Sequence, residues 1–437
     1  MFKTIINAWK VKDIRTKMLY TLLLIVVYRL GSFIPVPSVN GEKLGELIAS
    51  YDFLSFLNLF SGGSLNNFSL FAMGISPYIT ASIILQLLTI AFPSLEKLSK
   101  EEDGREKIEK ITRIVGVVLA LIQSVSIVVG LNSANGDLIK KITIFGTSGF
   151  GTFMNGFMPY VITGICCTAG TAFLMWMGER ITEKGIGNGV SILIFAGIVS
   201  RWTDINTIAH NIAVQVESGN WLYSLVGIGM VVAMLFAVWF VSYSDGAERR
   251  IPVQYAARKY NARGQASYIP VKLLMSGVMP IIFAGVIMSI PATVDMFVDA
   301  TKHVRLHSVL SVFSSGSWIY YAVYVILIAL FNFFYIEIQF DAVSISSNLR
   351  NQGGAVPGYR PGPQTTEMLN KALHKMAQTG SFYLAIIALM PMVFSLISGT
   401  QISFGGTSLM IMSSVALEVV RSMEGYLTVR HHKGFLG

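Results

Sequence analysis

The chain contains few of the residues that carry out chemistry. Its only cysteines, Cys166 and Cys167, are adjacent within an apolar stretch, so they cannot link distant segments. None of the six histidines has a partner at metal-ligand spacing, and no Walker-type phosphate loop is present. The glycine run at 185–189 superficially suggests a dinucleotide loop, but no strand precedes it. We therefore expect neither an enzyme nor a bound cofactor or metal ion.

Charged residues are also scarce. They make up 13% of the 437 residues, against 53% hydrophobic residues, and the mean hydropathy is +0.60. A water-soluble core cannot hide that much apolar surface, which places the chain in a bilayer. Within the apolar stretches, the charged residues Arg29, Glu179, Glu337 and Glu418 all fall toward the ends. Membrane enzymes and ion-coupled transporters keep charges well inside their spans, so this scarcity argues against both classes.

Apolar runs of suitable length define the fold class. Crossing about 30 Å of hydrocarbon takes about 20 helical residues. Ten runs approach this length, so we predict an all-α, polytopic membrane protein with ten transmembrane helices. The runs cover approximately residues 18–35, 72–92, 111–131, 153–177, 187–202, 221–243, 269–291, 318–338, 381–397 and 403–421.

Basic residues predict the orientation of these spans. Most of the 33 Lys and Arg residues fall on one side if the N-terminus and every second connection are cytosolic. Both termini are therefore expected in the cytosol, and the net charge of +9 is mainly an orientation signal. The connections on the other side hold only Lys43, Lys140, Lys141, Arg201, Lys302 and Arg305.

The ten spans divide the chain into predicted domains. Residues 1–17 form a cytosolic, amphipathic N-terminus, which either lies on an anionic membrane face or serves only as a basic flank that sets topology. Residues 18–203 hold spans one to five, residues 204–421 hold spans six to ten, and residues 422–437 form a cytosolic tail. Five spans per half would make any internal repeat inverted in the membrane.

One apolar segment between the first two spans is too broken to cross the membrane. Residues 57–70 are interrupted by Ser61-Gly-Gly-Ser64 and by Asn66-Asn67. If the segment enters the bilayer, its irregular backbone must be buried in protein or line a water-filled cavity, because lipid offers no hydrogen bonds. A re-entrant segment is one interpretation, and a surface loop with a short amphipathic helix is the other.

Two long connections on the predicted cytosolic side, residues 244–268 and 339–380, are candidates for docking a partner. The second has a tip rich in Pro and Gly, residues 353–363, which fixes a projecting turn. Basic side chains there suit an acidic or phosphate-rich partner, although such loops often serve topology alone. The candidate docking residues are Arg249, Arg250, Arg258, Lys259, Arg263 and Arg360.

Two aliphatic pairs have helical spacing. Ile75 and Ile79 lie four residues apart at the start of the second span, and Val190 and Ile194 lie four apart in the fifth. By spacing alone, such pairs indicate ordinary helix packing.

Both pairs lie within longer motifs that match a known family. Residues 74–79 (GISPYI), 181–198 (ITEKGIGNGVSILIFAGI) and 404–411 (FGGTSLMI) resemble pore segments of the SecY/Sec61-alpha family, the channel subunits of protein translocons. The resemblance extends along essentially the whole chain. Further matching motifs, in the expected order, lie at residues 31–37, 60–63, 248–252 and 357–362.

The resemblance implies two inverted-repeat halves around a central hourglass pore with a re-entrant plug helix. A waist of aliphatic side chains blocks ions by dewetting yet parts around a passing peptide. Motif matching places this ring on Ile75, Ile79, Val190, Ile194, Ile282 and Ile411. The plug is the broken segment, with Phe60, Ser61, Gly62, Gly63, Ser64, Leu65, Asn66 and Asn67. Polar positions of a lateral gate match Gln86 and Gln123.

The implied function is a gated channel that moves unfolded secretory polypeptides across the bacterial cytoplasmic membrane and releases membrane segments sideways into lipid. The implied partners are the small membrane subunits SecE and SecG, the SecA motor ATPase, a ribosome, signal-sequence-bearing polypeptides and membrane lipid. Two other classes stay open. A secondary transporter would bind a small solute near the midplane, and a structural scaffold would show no ion leak when the ring is altered.

Overall fold

The computed structural model describes residues 2–37, 39, 58, 61–101, 103–134, 150–200, 222–255, 267–277, 279–295, 310, 318–398 and 406–433. The described chain is mostly helical. Its helices are α1 (Phe2–Lys10), α2 (Lys12–Gly31), α3 (Ser76–Ala91), α4 (Pro93–Lys100), α5 (Gly104–Ala134), α6 (Phe150–Lys184), α7 (Gly189–Ser200), α8 (Leu222–Gly246), α9 (Met279–Asp295), α10 (Trp318–Gln339), α11 (Ala342–Asn351), α12 (Pro363–Ser398) and α13 (Gly406–Lys433). Its strands are β1 (Glu248–Tyr255), β2 (Ser267–Lys272) and β3 (Gly354–Ala355).

Three helical stretches in the described ranges are long and apolar enough to cross a membrane: Glu106–Gly130, Met158–Lys184 and Trp318–Asn351. The pair α3 and α4 is a fourth candidate, bent by 108° at its break. The bend follows from Pro93, because a proline disfavours helical backbone at the residue before it, and Phe92 is indeed extended. Ten spans therefore stay a prediction, while a mostly helical membrane fold is confirmed.

The chain divides into two compact units. The first consists of Met1–Thr207, Ser289–Ser314 and Val415–Gly437. In this unit α5 packs against both α3 and α6. Small residues allow the helices to approach closely. A Cβ atom on Gly116 of α5 would lie 3.7 Å from Ala81 Cβ of α3, and one on Gly164 of α6 would lie 2.9 Å from a Val125 methyl of α5.

The first unit also brings both ends of the chain together around the turn between α6 and α7. Ala8, Ile14, Ile186 and Met423 form one buried apolar cluster. Polar contacts flank the cluster: Thr4 Oγ1 donates to Glu424 Oε1 over 3.1 Å, and the Lys17 ammonium lies 4.2 Å from the centre of the Tyr426 ring. The N-terminal helix is thus packed against protein on one side, while Ile6 and Trp9 are exposed.

The second unit consists of Ile208–Met288 and Ser315–Ser414. Its helix α12 packs against α10, α8 and α11. Phe240 of α8 stacks on Tyr383 of α12 with ring centres 5.2 Å apart. The apolar core of the second unit is formed by Ile251, Val271, Ile336, Ala342, Val356, Leu369, Ala372, Leu373 and Ala377.

A three-stranded antiparallel sheet in this unit departs from the all-α prediction. Its order is β2-β1-β3, with Glu248 opposite Lys272 and Gln254 opposite Ala355. Alternate burial explains the strand: Ile251 and Val253 of β1 are buried, and the residues between and beside them are exposed. This alternation of period two is present in the sequence, but it is too short to stand out within a long basic connection.

Candidate pore and docking sites

The described part of the predicted plug is a series of tight turns. Hydrogen bonds run from Gly63 N to Asn58 O over 3.0 Å, from Phe68 N to Leu65 O over 2.9 Å, and from Ser69 N to Ser64 O over 2.9 Å. Residues 61–75 are mainly turns rather than the predicted helix, because Gly62 and Gly63 have φ values of +65° and +82°, which no α-helix contains.

The plug residues differ in exposure. Ser61, Ser64 and Leu65 are buried, and Asn66 and Asn67 are exposed. Phe60 lies outside the described residues. The segment is therefore embedded in protein along one side, as irregular backbone must be if it enters the bilayer.

Two helices hold the first turn of this segment by its carbonyl groups. From α2, Tyr28 Oη donates to Ser61 O over 3.1 Å, and Arg29 Nη1 donates to Gly62 O over 3.3 Å. From α7, Ser200 Oγ lies 3.1 Å from the same Gly62 O and 2.5 Å from Gly197 O, so its single hydroxyl hydrogen is shared between the two carbonyl groups. We call Tyr28, Arg29, Gly197 and Ser200 the plug seat.

Close backbone packing completes the plug seat. A Cβ atom on Gly62 would lie 2.6 Å from Gly197 Cα and 2.9 Å from Tyr28 Oη. Only glycine at position 62 therefore allows this approach. Sequence reasoning placed Arg29 near a span end but assigned it no partner. It missed Tyr28 and Ser200, which carry no distinguishing sequence signal, and it gave no role to Gly197 of the 181–198 motif.

The chain after α2 holds the far end of the same segment. Val36 N donates to Phe68 O and Leu70 N donates to Ile34 O, both over 2.9 Å, and Pro35 and Ser69 form an antiparallel bridge. The segment is thus fixed at both ends by residues of, or next to, the first predicted span.

The first aliphatic pair lies at the start of α3. Ile75 is the residue before this helix and is 2% exposed, and Ile79 lies in its first turn and is 9% exposed. Ile79 N donates to Ile75 O over 3.1 Å, so the two residues are one turn apart on the same helical face. Both follow the plug segment directly in the chain.

The second aliphatic pair lies on α7, the helix that also carries Gly197 and Ser200. Asn188 begins this helix by accepting hydrogen bonds on Oδ1 from Val190 N over 3.0 Å and from Ser191 N over 3.3 Å. Ile194 is buried, and Val190 is half-buried. A Val190 methyl lies 3.4 Å from where a Gly178 Cβ would be, so Val190 also packs against α6.

The remaining predicted ring residues belong to other helices. Ile282 of α9 is 4% exposed and Ile411 of α13 is 2% exposed. The ring as an assembly stays a prediction.

The two gate residues differ in their surroundings. Gln86 is exposed on α3, and its Nε2 lies 3.4 Å from Ser82 Oγ of the same helix. Gln123 on α5 has a buried Oε1 that finds no hydrogen-bond partner among the described residues. A buried acceptor without a partner costs stability, so Gln123 Oε1 does not strengthen the packing of α5 in this arrangement.

Exposed arginines of the predicted docking loops lie on the sheet. Arg249 and Arg250 are both exposed on β1. Arg250 Nε donates to Glu248 Oε1 over 2.7 Å, and its guanidinium lies 4.8 Å from the Tyr268 ring centre. The hydrogen bond to Glu248 raises the pKa of Arg250 above its ordinary value, so it keeps its charge. Outside the described residues lie Arg258, Lys259 and Arg263.

Arg360 projects from a braced turn. Its backbone N donates to Gln364 Oε1 over 3.4 Å, and its carbonyl accepts a hydrogen bond of 2.8 Å from Thr365 Oγ1. Ser346 Oγ of α11 donates to Gly362 O over 2.9 Å. Because these contacts involve the backbone, the turn is fixed while the Arg360 side chain stays exposed.

Helices able to span a bilayer, together with an irregular segment held between two helices, define a helical membrane channel or carrier. Within the described ranges, no group of three or more His, Cys, Asp or Glu could hold a metal ion.

The SecY family model matches residues 69–420. Among curated relatives, the protein translocase subunit SecY of Bacillus subtilis is 39% identical over 450 residues, with all of both chains covered. That of Thermotoga maritima is 36% identical over 447 residues, covering 100% of this chain and 98% of the relative.

The chain therefore belongs to the SecY family. This confirms the predicted family, and it favours a protein translocase subunit over the solute transporter that the sequence left open. A solved protein-conducting channel aligns with a TM-score of 0.63 at 16% identity, covering 94% of this chain and 91% of that one. Canine Sec61 from a ribosome-channel complex aligns with a TM-score of 0.59 at 16% identity over the same shares. At this identity the likeness shows the fold alone.

Proposed function

We propose that this protein is a protein-conducting channel, which moves unfolded secretory polypeptides across a membrane and releases membrane segments sideways into lipid. The plug seat is the observation that carries this proposal. Tyr28, Arg29 and Ser200 hold an irregular, buried segment by its backbone beside α7, the helix of Val190 and Ile194. A carrier of small solutes does not need such a segment beside the helix that carries Val190 and Ile194.

The proposed closed state has two barriers, the plug and the ring. The six aliphatic side chains offer no hydrogen bonds to water or ions, so a narrow ring of them dewets. The proposed architecture is ten spans in two inverted halves, residues 18–203 and 204–421.

The hydrogen bonds from the plug seat are weak enough for the plug segment to leave it. A neutral hydrogen bond contributes about 0.5–1.5 kcal/mol net, and a bond from a charged group such as Arg29 about 1.5–3 kcal/mol. The bonds from Tyr28 and Arg29, with the shared hydrogen of Ser200, therefore contribute a few kcal/mol together. Binding of a signal sequence and a motor partner can supply that much, so the plug leaves when a substrate enters and returns afterwards.

The lateral gate is proposed to use Gln86 and Gln123. Hydrogen bonds between helices in membranes contribute only about 0.6–2 kcal/mol. Gln123 Oε1 has no hydrogen-bond partner among the described residues, so this acceptor adds no polar contact across the seam. An apolar signal helix can separate such a seam.

The cytosolic loops are proposed to dock a motor or a ribosome. Arg249, Arg250 and Arg360 are exposed and mounted on a sheet and a braced turn, which suits an acidic protein groove or ribosomal RNA. Solved structures with this fold include Sec61 and Ssh1 complexes described with ribosomes. The further proposed partners are SecA, SecE and SecG.

The proposed location is the bacterial cytoplasmic membrane, with both termini in the cytosol. The relatives are named as translocase subunits, which supports a non-catalytic role in which a partner supplies the energy. The chain itself then seals the pore, opens it and guides the passing polypeptide.

Ion conductance in planar bilayers tests the channel function. The purified full chain should be silent, while deletion of residues 57–70 and the change Ile194→Gly should each leak ions, because the proposed seal needs the plug and the ring together. Ile165→Gly is the matched control, since this exposed residue of α6 undergoes the same change away from the predicted ring. If all folded variants stay as silent as the parent chain, the channel proposal is wrong and solute uptake becomes the next assay.

A further inference from the structure

A buried polar network connects three elements of the second unit. Ser276, in the turn between β2 and α9, donates from Oγ to Asn332 Oδ1 of α10 over 2.5 Å. Asn332 Nδ2 donates to Ala377 O over 2.8 Å and to Ser381 Oγ over 2.9 Å, both on α12. Asn332 and Ser276 are 1% and 2% exposed. We call these four residues the Asn332 network.

The hydrogen bonding of the buried Asn332 side chain is complete. Both Nδ2 hydrogens and Oδ1 of Asn332 have partners, and Ser381 Oγ also donates to Ala377 O over 2.8 Å. A fully satisfied buried network fixes one arrangement of its elements, because any other arrangement leaves polar groups unpaired. An apolar residue would pack there without imposing such a geometry.

Close backbone packing holds the same turn from a second direction. A Cβ atom on Gly380 would lie 2.8 Å from Leu273 O and 3.5 Å from Asn332 Nδ2. Glycine at this position therefore lets α12 contact the turn directly. The turn is held by α10 through a side chain and by α12 through its backbone surface.

This turn leads into α9. The helix starts at Met279, after Gly277 with φ of +58°, and it carries the predicted ring residue Ile282. The next residue, Phe283, packs edge-on against Phe331 of α10, with ring centres 5.6 Å apart. Contacts to α10 thus lie on both sides of the start of α9, a polar one before it at Ser276 and an aromatic one within it at Phe283.

The other end of the turn continues into the sheet that carries the exposed arginines. Lys272 of β2 pairs with Glu248 of β1, and Leu273 N donates to Ala247 O over 2.9 Å. A displacement of β1 by a docked partner would therefore reach Ser276 within a few residues.

We propose that Asn332 is a positioning residue that holds α9, and with it Ile282, in the closed arrangement through its hydrogen bond from Ser276. The inference rests on the proposed channel function. Loss of the Ser276 bond frees the start of α9 while leaving the α10–α12 contact in place. Loss of the Ser381 bond leaves the start of α9 held, because Asn332 keeps Ser276 as a partner, and α10 stays joined to α12 through Ala377 O.

Two matched variants of the full chain test this proposal. Ser276→Ala and Ser381→Ala make the same chemical change at two buried serines of one network. Both should lower the thermal unfolding midpoint. Only Ser276→Ala should raise resting ion conductance, by about tenfold, because a buried hydrogen bond shifts a two-state equilibrium by about that factor.

Measuring Ile194→Gly alongside distinguishes failure of this inference from failure of the proposed channel function. If Ile194→Gly leaks and Ser276→Ala is silent, or if both serine variants leak equally, the network is merely structural and the proposal is wrong. If Ile194→Gly and the plug deletion are silent too, the channel function has failed and this inference fails with it. Because both serine variants report their folded state by thermal unfolding, a silent result cannot come from an unfolded protein.

Discussion

Residue 62 shows how a single position can decide whether the plug is seated. Gly62 has φ of +65°, and its backbone lies so close to Gly197 that a Cβ atom would be 2.6 Å from Gly197 Cα. A left-handed backbone costs a non-glycine residue about 1–2 kcal/mol. The close approach adds a steric cost that the two backbones can relieve only by moving apart.

Gly62→Ala should therefore unseat the plug and raise resting ion conductance. Gly353→Ala is the control, because Gly353 has a similar φ of +68° but open space within 4 Å of the position that a Cβ atom would occupy. Both variants should lose about 1–2 kcal/mol of stability from backbone strain, and only Gly62→Ala should leak. Equal conductance in the two variants would show that strain, and not contact with Gly197, explains the result.

At the level of single residues, the sequence identified types but not contacts. Arg29 was recognisable as a charge near a span end, and the positive φ of Gly62 and Gly63 was foreshadowed by the Ser-Gly-Gly-Ser run. Tyr28 and Ser200 were not recognisable, because a tyrosine and a serine in apolar helices are ordinary. Their role comes from meeting the same turn across long stretches of intervening chain, and spacing does not encode that.

At the level of elements, the cytosolic loops are more ordered than their sequence suggested. The Pro- and Gly-rich tip predicted a turn, and Gly358 and Gly362 do have positive φ. The sheet of β1, β2 and β3 was not predicted. It gives Arg249 and Arg250 a fixed platform, and fixed charges bind with less loss of conformational entropy than mobile ones.

Arg360→Glu at the braced tip should weaken ribosome binding to proteoliposomes at low salt. The change removes one phosphate contact, so the slope of log affinity against log salt should fall in magnitude by about one. Arg350→Glu, on exposed α11, is the charge-matched control. If both variants bind equally well, the tip is not a docking site.

At the level of the whole molecule, membrane topology follows from apolar length and charge. Three described helical stretches, and a fourth bent pair, meet the length and hydropathy needed to span a bilayer. The charge distribution predicts that residues near 301 face outward and that the tip near 358 faces the cytosol.

Cysteine labelling measures this topology. Gly358→Cys should react with a membrane-impermeant maleimide only in inverted vesicles, and Thr301→Cys only in right-side-out vesicles. Background should be low, because Cys167 is buried and Cys166 is half-buried in α6. Labelling of both positions from the same side would overturn the predicted orientation.

The sequence by itself determined that this protein is an apolar, helical membrane protein of the SecY family. Hydropathy and motif order are properties of the linear chain, and the bilayer forces long apolar segments into helices because backbone groups must be satisfied internally. Only the tertiary structure decided which groups hold the plug, why Gly62 and Gly197 meet, and how Ser276, Asn332 and Ser381 join three elements. Those contacts bring together residues far apart in sequence, and their stability comes from burial and complete hydrogen bonding in one packed arrangement.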